Sequence, residues 1–170
     1  DRLIDLADNA RFLHRVASEK SVDFVEQDVG KHLQSVAQKH RDKYPEAEID
    51  VEVPSEPVPV PRYYDIAVAE LVENAITHTD AETPEVCISI EQSSAGALSI
   101  QVSDNGPGIP DLERSSLDKA TEGKLDHSQG LGLWVVKFIT ENAGGDVRFH
   151  ENDRGGVTVN LWFPAPAVSH

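Results

Sequence analysis

Residues 104–110, Asp-Asn-Gly-Pro-Gly-Ile-Pro, put an acid, an amide, two glycines and two prolines at the exit of an apolar alternation. Pro107 and Pro110 fix φ, whereas Gly106 and Gly108 permit backbone geometry and close approaches that a side chain forbids. A plain hairpin needs only Asn-Gly or one glycine at its turn. Two glycines behind a carboxylate therefore read as backbone laid against a ligand. Asp104 by itself leaves two readings open: an Asx-turn carboxylate, common before Asn-Gly, or an acceptor for a ligand's amine. Upstream, Glu70, Asn74 and His78 recur at i, i+4 and i+8 and so share one helix face. Downstream, Gly130-Leu131-Gly132 runs into Leu133-Trp134-Val135-Val136-Lys137-Phe138-Ile139, a buried helix opened by glycines. The free N–H groups and positive dipole end of such a start suit phosphate.

The elements that must position these residues are legible from periodicity. Arg62 to Thr79 carries a helical stripe of Val68, Leu71, Val72, Ala75 and Ile76. Val86, Ile88 and Ile90, then Leu98, Ile100 and Val102, form an antiparallel pair turning around Ser93 to Gly96. Earlier come a short strand over 22–26 and a helix capped by Asp28 and running to about Tyr44, with Val29, Leu33, Val36 and Ala37 inward. Pro45 ends it. Ile49, Val51 and Val53 give another strand, and Pro54, Pro57, Pro59 and Pro61 a stiff connector. Gly144-Gly145 stops the last helix. Val147 and Phe149, then Val157, Val159 and Leu161, make a final hairpin turning at Asp153 to Gly156. Between Pro110 and Gly130 lie about twenty polar residues without an apolar period, a length that fits a lid over a ligand. Three helical patterns and about five strands, mostly in hairpins, predict an α+β two-layer sandwich.

With 170 residues the chain suits one domain with a single core. It contains no methionine, which predicts a piece cut from a longer protein. No run is long enough to span a bilayer and no signal-peptide pattern occurs, so this domain is expected in the cytoplasm, whatever precedes it. A single cysteine, Cys87, rules out a disulfide framework and a cysteine-ligated zinc; a strand position predicts a buried, inert thiol. The net charge of −15 supplies no basic stripe for nucleic acid. Spread along the chain, that charge matches the surface of a halophile's protein. No Gly-x-x-x-x-Gly-Lys-Ser/Thr run exists, so a P-loop is excluded, as is the glycine-rich loop and His-Arg-Asp set of eukaryotic protein kinases.

In their order and spacing these segments resemble one family. Glu70-Leu71-Val72-Glu73-Asn74-Ala75 is similar to the N box, Asp104-Asn105-Gly106-Pro107-Gly108 to the G1 box and Gly130-Leu131-Gly132-Leu133 to the G2 box of the ATP-binding catalytic domain of sensor histidine kinases. That family lies within the superfamily of gyrase, Hsp90 and MutL. The likeness spans roughly residues 22–164. It implies a Bergerat-type fold, a mixed, mostly antiparallel sheet covered on one face by helices, with residues 21–164 as the catalytic domain and 165–170 a tail. It also implies ATP and Mg²⁺ as cofactors. By the resemblance Asp104 accepts from the adenine amine and Asn74 holds Mg²⁺ as well as nucleotide. Glu70 would act as the general base or its helper, and His78 would stand against adenine. Gly106, Gly108, Ile109, Gly130, Leu131 and Gly132 would line base, ribose and phosphates. Leu3, Leu6, Ala10, Leu13 and Ala17 form an a/d seam. In the family, residues 1–20 would end a dimerisation and phosphoacceptor helix. His14 lacks the following acid of a phosphoacceptor box and reads as a surface residue. The partners implied are the dimerisation helices of the same kinase, a homodimer when full length, and a response regulator.

Three departures stand against the family pattern. Thr77 replaces a common cation three residues after Asn74, Ser128 replaces a glycine, and Leu112 to Leu117 show no aromatic-rich F box. Lys119, Lys124 or His127 could supply the missing cation. Two rival readings stay open: a serine kinase of the anti-sigma-factor type, and a degenerate module that binds nucleotide without turnover.

Overall fold

The computed structural model describes residues 24–77, 79, 81–106, 128–153 and 155–165. The first helix, α1 (Val29–Lys43), is capped by Asp28, whose carboxylate accepts the Lys31 N–H at 3.1 Å and satisfies one of the orphan donors of the first turn. Val29, Leu33 and Ala37, at helical spacing, are fully buried. The Tyr44 N–H closes the last turn onto His40 O, and Pro45 has no N–H with which to continue. Ile49 turns inward from β2 (Glu48–Glu52).

Two expectations are corrected next. The proline-rich run is not a connector throughout: its second half is β3 (Val58–Pro61), paired antiparallel with β1 (Phe24–Gln27). An antiparallel ladder draws its bonds from alternate residues, so prolines at 59 and 61 can share a strand with Val58 and Val60. Both valines are buried in the core. The first strand thus reaches one residue beyond its expected end at 26. The next helix, α2 (Tyr64–Thr77), begins after Tyr63, whose φ of 70° no right-handed helix accommodates.

Beyond α2 lie β4 (Glu85–Gln92), β5 (Leu98–Asp104), α3 (Ser128–Asn142), β6 (Asp146–Glu151) and β7 (Val157–Phe163). The main sheet has the order β2-β4-β5-β7-β6; β2 and β4 are parallel and the other neighbours antiparallel. A parallel pair needs a crossover, and α2 supplies it. The crossover lays α2 over β4 and β5, with α1 beside β2 and α3 beside β6 and β7. Ala67, Val68, Leu71 and Val72 meet Ile88, Ile100, Val159 and Leu161 in one core with Val135, Val136 and Ile139 of α3. Each fully buried aliphatic side chain contributes about 1.5–3 kcal/mol. The result is the expected α+β sandwich, with a small two-stranded ribbon added. Cys87 alternates with buried Val86 and Ile88 and so points to the face away from the core. It is half-buried there, not buried as expected. Among the described residues no helix is long and apolar enough to cross a membrane.

Candidate functional site

Asp104 is the last residue of β5 and is held from two sides. Its Oδ1 accepts the Gly106 N–H at 2.9 Å, which is the Asx turn, and the Val157 N–H at 3.1 Å. Its main-chain oxygen accepts from Asn152 Nδ2 at 3.0 Å. The second carboxylate oxygen, Oδ2, takes no hydrogen bond from a described residue, which leaves it as an acceptor. The two readings of Asp104 are therefore compatible, because one oxygen builds the turn and the other remains for a ligand. Behind it, Gly156 approaches so closely that an added Cβ would lie 2.0 Å from Asp104 O and 2.7 Å from Oδ1. Asn152 also receives the Gly156 N–H at 3.1 Å, so the β6–β7 turn is one rigid brace against the end of β5.

Asn105 turns away from any ligand. Its Oδ1 accepts the Glu85 N–H at 3.0 Å, and its Nδ2 donates to Thr83 O and Glu85 Oε2 at 3.2 and 3.1 Å. It pins the entrance of β4 to the turn. A Cβ on Gly106 would lie 3.5 Å from Thr79 Oγ1, so the turn abuts the segment just past the end of α2. Gly108 and Ile109 lie outside the described residues, as does His78.

Glu70 and Asn74, one turn apart on α2, are both half-buried. Asn74 Nδ2 is sealed from solvent and has no hydrogen-bond partner among the described residues. Such an orphaned amide is costly unless a ligand uses the group. The orphaned nitrogen is a donor and suits a phosphate oxygen, whereas Mg²⁺, which takes hard oxygen ligands and keeps waters, would have to meet the same amide's Oδ1. Among the described residues no cluster of three His, Cys, Asp or Glu could hold a metal by itself. Thr77 does not take over from the missing cation; its hydroxyl donates to Glu73 O at 2.9 Å on its own helix.

Sequence reading missed Glu73. From the end of α1, Tyr44 Oη donates to its Oε1 at 2.5 Å and Lys43 Nζ at 3.1 Å, while His40 Nε2 stands 3.3 Å from Oε2. Burial by itself would raise the Glu73 carboxyl, but the Tyr44 and Lys43 hydrogen bonds, with the Lys43 and His40 charges, hold it below its ordinary value. Burial, reinforced by Glu73, pushes the Tyr44 phenol up, and the Glu73 hydrogen bond does the same for Lys43. No pattern in the sequence marks this cluster, because its members are about thirty positions apart.

Gly130 stands in the first turn of α3, where N–H groups lack intrahelical acceptors, and Leu131 and Gly132 follow within the helix. The glycines thus belong to the helix itself, and α3 packs along α2. The expected lid, the F-box segment with Lys119, Lys124 and His127, and the a/d seam of residues 1–20 lie outside the described residues.

Residues 61–167 match the sequence profile described as histidine kinase-, DNA gyrase B- and HSP90-like ATPase. The chain is 33% identical over 153 residues to the sensor-type histidine kinase PrrB of Mycobacterium leprae, a match that covers 86% of this chain and 33% of that protein. It is 33% identical over 98 residues to the sensor protein kinase CarS of Pseudomonas aeruginosa, covering 55% of this chain and 21% of CarS. The chain thus spans a minor part of both relatives. Among solved structures it resembles the ATP-binding domain of PrrB from Mycobacterium tuberculosis, with 25% identity, a TM-score of 0.64, and coverage of 85% of this chain and 99% of that one. The fold is also that of the Acinetobacter baumannii histidine kinase AdeS, at 23% identity and TM-score 0.73, with 95% of this chain and 78% of that one covered.

Proposed function

The chain belongs to the family of histidine kinase-, DNA gyrase B- and HSP90-like ATPases, and from that premise we propose that it is the ATP-binding catalytic domain of a two-component sensor histidine kinase. One observation carries the reading to this chain's own residues. Asp104 is braced by Gly106, Asn152 and Val157 through Oδ1 and its main-chain oxygen, and Oδ2 is left as an acceptor for a purine's exocyclic amine. A carboxylate held by backbone N–H groups needs no reorganisation when the base arrives.

Asn74 would hold Mg²⁺, which when bound supplies charge neutralisation at the phosphate oxygens. The chain's own part is positioning, which is most of what phosphoryl transfer requires. Glu70, one turn before Asn74, would accept a hydrogen bond from an incoming imidazole and hold its nucleophilic nitrogen in line. The first-turn N–H groups of α3 would meet the negative charge of the triphosphate. The acceptor would be a histidine on the dimerisation helices of the same full-length homodimeric kinase, with a response regulator as the next recipient.

The test has two stages. The protein should bind ATP in calorimetry, more tightly with Mg²⁺ than in EDTA. It should then transfer the γ-phosphoryl group to histidine only when joined to its own upstream helices. Absence of acid-labile phosphohistidine in that longer protein, with ATP binding intact, would defeat the kinase assignment. A second reading, a nucleotide-binding module without turnover, draws on Thr77, whose hydroxyl is tied to its own helix and offers no charge to phosphate. The same transfer assay decides between them.

A further inference from the structure

We propose that Glu73 is a positioning residue for Mg-ATP, a clamp point through which α1 sets the rotation of α2 and so the placement of Asn74. The inference rests on the nucleotide-binding reading above and deepens it. The apolar contacts of α2 fix which face meets the sheet, but they are non-directional and leave fine rotation weakly specified. Asn74 has no local device to correct this, because its Nδ2 has no hydrogen-bond partner among the described residues. Its placement follows the azimuth of the helix.

Glu73 supplies the direction that the apolar face lacks. It lies next to Asn74, about 100° around the axis. Three groups from the last turn of α1 and its cap converge on it: Tyr44 Oη at 2.5 Å, Lys43 Nζ at 3.1 Å and His40 Nε2 at 3.3 Å. The hydroxyl and ammonium share Oε1 while the imidazole meets Oε2, so both oxygens are fixed and the carboxylate plane is set. The other end of the clamp is itself anchored. His40 Nδ1 is 2.8 Å from Val36 O, and Tyr44 N–H closes onto His40 O. Side-chain tips lie about 5–6 Å from a helix axis, so a rotation of only 10° moves the Asn74 amide by about 1 Å. Displacements of that size suffice to spoil a positioned phosphoryl group.

Calorimetric titration with ATP in Mg²⁺ and in EDTA, well below the melting temperature, measures the Mg²⁺-dependent gain in affinity. In Glu73→Ala this gain should fall about tenfold, while affinity in EDTA, set at Asp104, stays within about twofold. Glu73→Gln keeps an acceptor for Tyr44 and should recover part of the loss. Val36→Ala, which trims an apolar contact beside the same cluster, should lower the melting temperature and leave the gain intact. If Glu73→Ala does not fold, Tyr44→Phe carries the test with a smaller drop of about threefold. An unchanged gain in these variants, or equal losses with and without metal, overturns the clamp. Wild-type protein that binds no ATP overturns the nucleotide reading, and the clamp with it.

Discussion

Gly156→Ala is the sharpest test of how the candidate site is built. The new Cβ would lie 2.0 Å from Asp104 O, 2.7 Å from its carbonyl carbon and 2.7 Å from Oδ1. Two of these are main-chain atoms of a strand paired on both sides, so no rotamer change relieves the overlap. Ordinary contact begins near 3.4 Å, so the turn and the end of β5 must part by roughly 1.4 Å. That movement breaks the hydrogen bonds from Asn152 to Asp104 O at 3.0 Å and from Val157 to Oδ1 at 3.1 Å. Overpacking at about 1–3 kcal/mol and two bonds at about 1 kcal/mol each give a loss of about 3–5 kcal/mol. In a domain of this size the melting temperature should drop by about 6–20 °C. The displaced carboxylate forfeits a charge-assisted hydrogen bond to adenine, so ATP affinity should fall about 10- to 100-fold.

Two neighbouring glycines separate this from general damage. Gly145→Ala meets Trp162 O at 2.2 Å, an equally hard collision against backbone, but away from Asp104. Gly155→Ala has no atom within 4 Å and suffers only from its φ of +81°, about 1–2 kcal/mol. Both should melt earlier yet bind ATP within about twofold of wild type in calorimetry at a temperature where all variants are folded. Wild-type affinity in Gly156→Ala, or an equal loss in Gly145→Ala, would refute the brace.

Other substitutions probe the remaining parts. Asp104→Asn keeps Oδ1 for Gly106 and Val157, so thermal unfolding should change little while ATP affinity falls about 10- to 100-fold. Asn74→Ala removes an amide whose buried Nδ2 has no partner among the described residues and adds a better helix former. Its unliganded form should melt no lower than wild type, and up to about 1 kcal/mol of added stability is expected, while the Mg²⁺-dependent gain in ATP affinity disappears. The folded Glu73 carboxyl lies below its ordinary value of 4.5, so its contribution is present above that pH and is lost as pH falls through the lowered folded value. Melting curves of wild type and Glu73→Gln should therefore differ at pH 7 and converge at the acid end; a constant difference would contradict the ion pair. With a net charge of −15, urea midpoints should rise between low and molar salt, and a flat response would remove the halophile reading.

Much of this architecture was legible because its strands alternate and its helices keep their period. Val86, Ile88 and Ile90 point one way and Cys87 and Ser89 the other, as the pattern required. The prolines of β3 hid a strand, since a missing donor is tolerated when it falls on the non-bonded positions of an edge. The parallel pairing of β2 with β4 could not be read, because nothing local distinguishes a strand that pairs across a crossover. At the site, the acid, the amide and the glycines announce themselves by residue type. Their supports do not: Asn105, Asn152 and Glu73 are ordinary polar residues whose roles exist only through partners distant in sequence. Asp104 shows a further limit. An Asx turn and a ligand acceptor had stood as alternatives, yet a carboxylate has two oxygens, and building the turn with one leaves the other for a ligand.

The brace on Asp104 also imposes an order on biosynthesis. Two of its three partners, Asn152 and Val157, lie 48 and 53 positions downstream. At 5–20 residues per second a ribosome adds that stretch in roughly 3–10 s. Until the last hairpin emerges, the acid dangles at the end of an unfinished sheet and cannot be aimed. Nucleotide stabilises only a state that binds it, so cellular ATP gives the nascent chain no help during those seconds. The apolar underside of α2 must wait for chaperones or for the final strand.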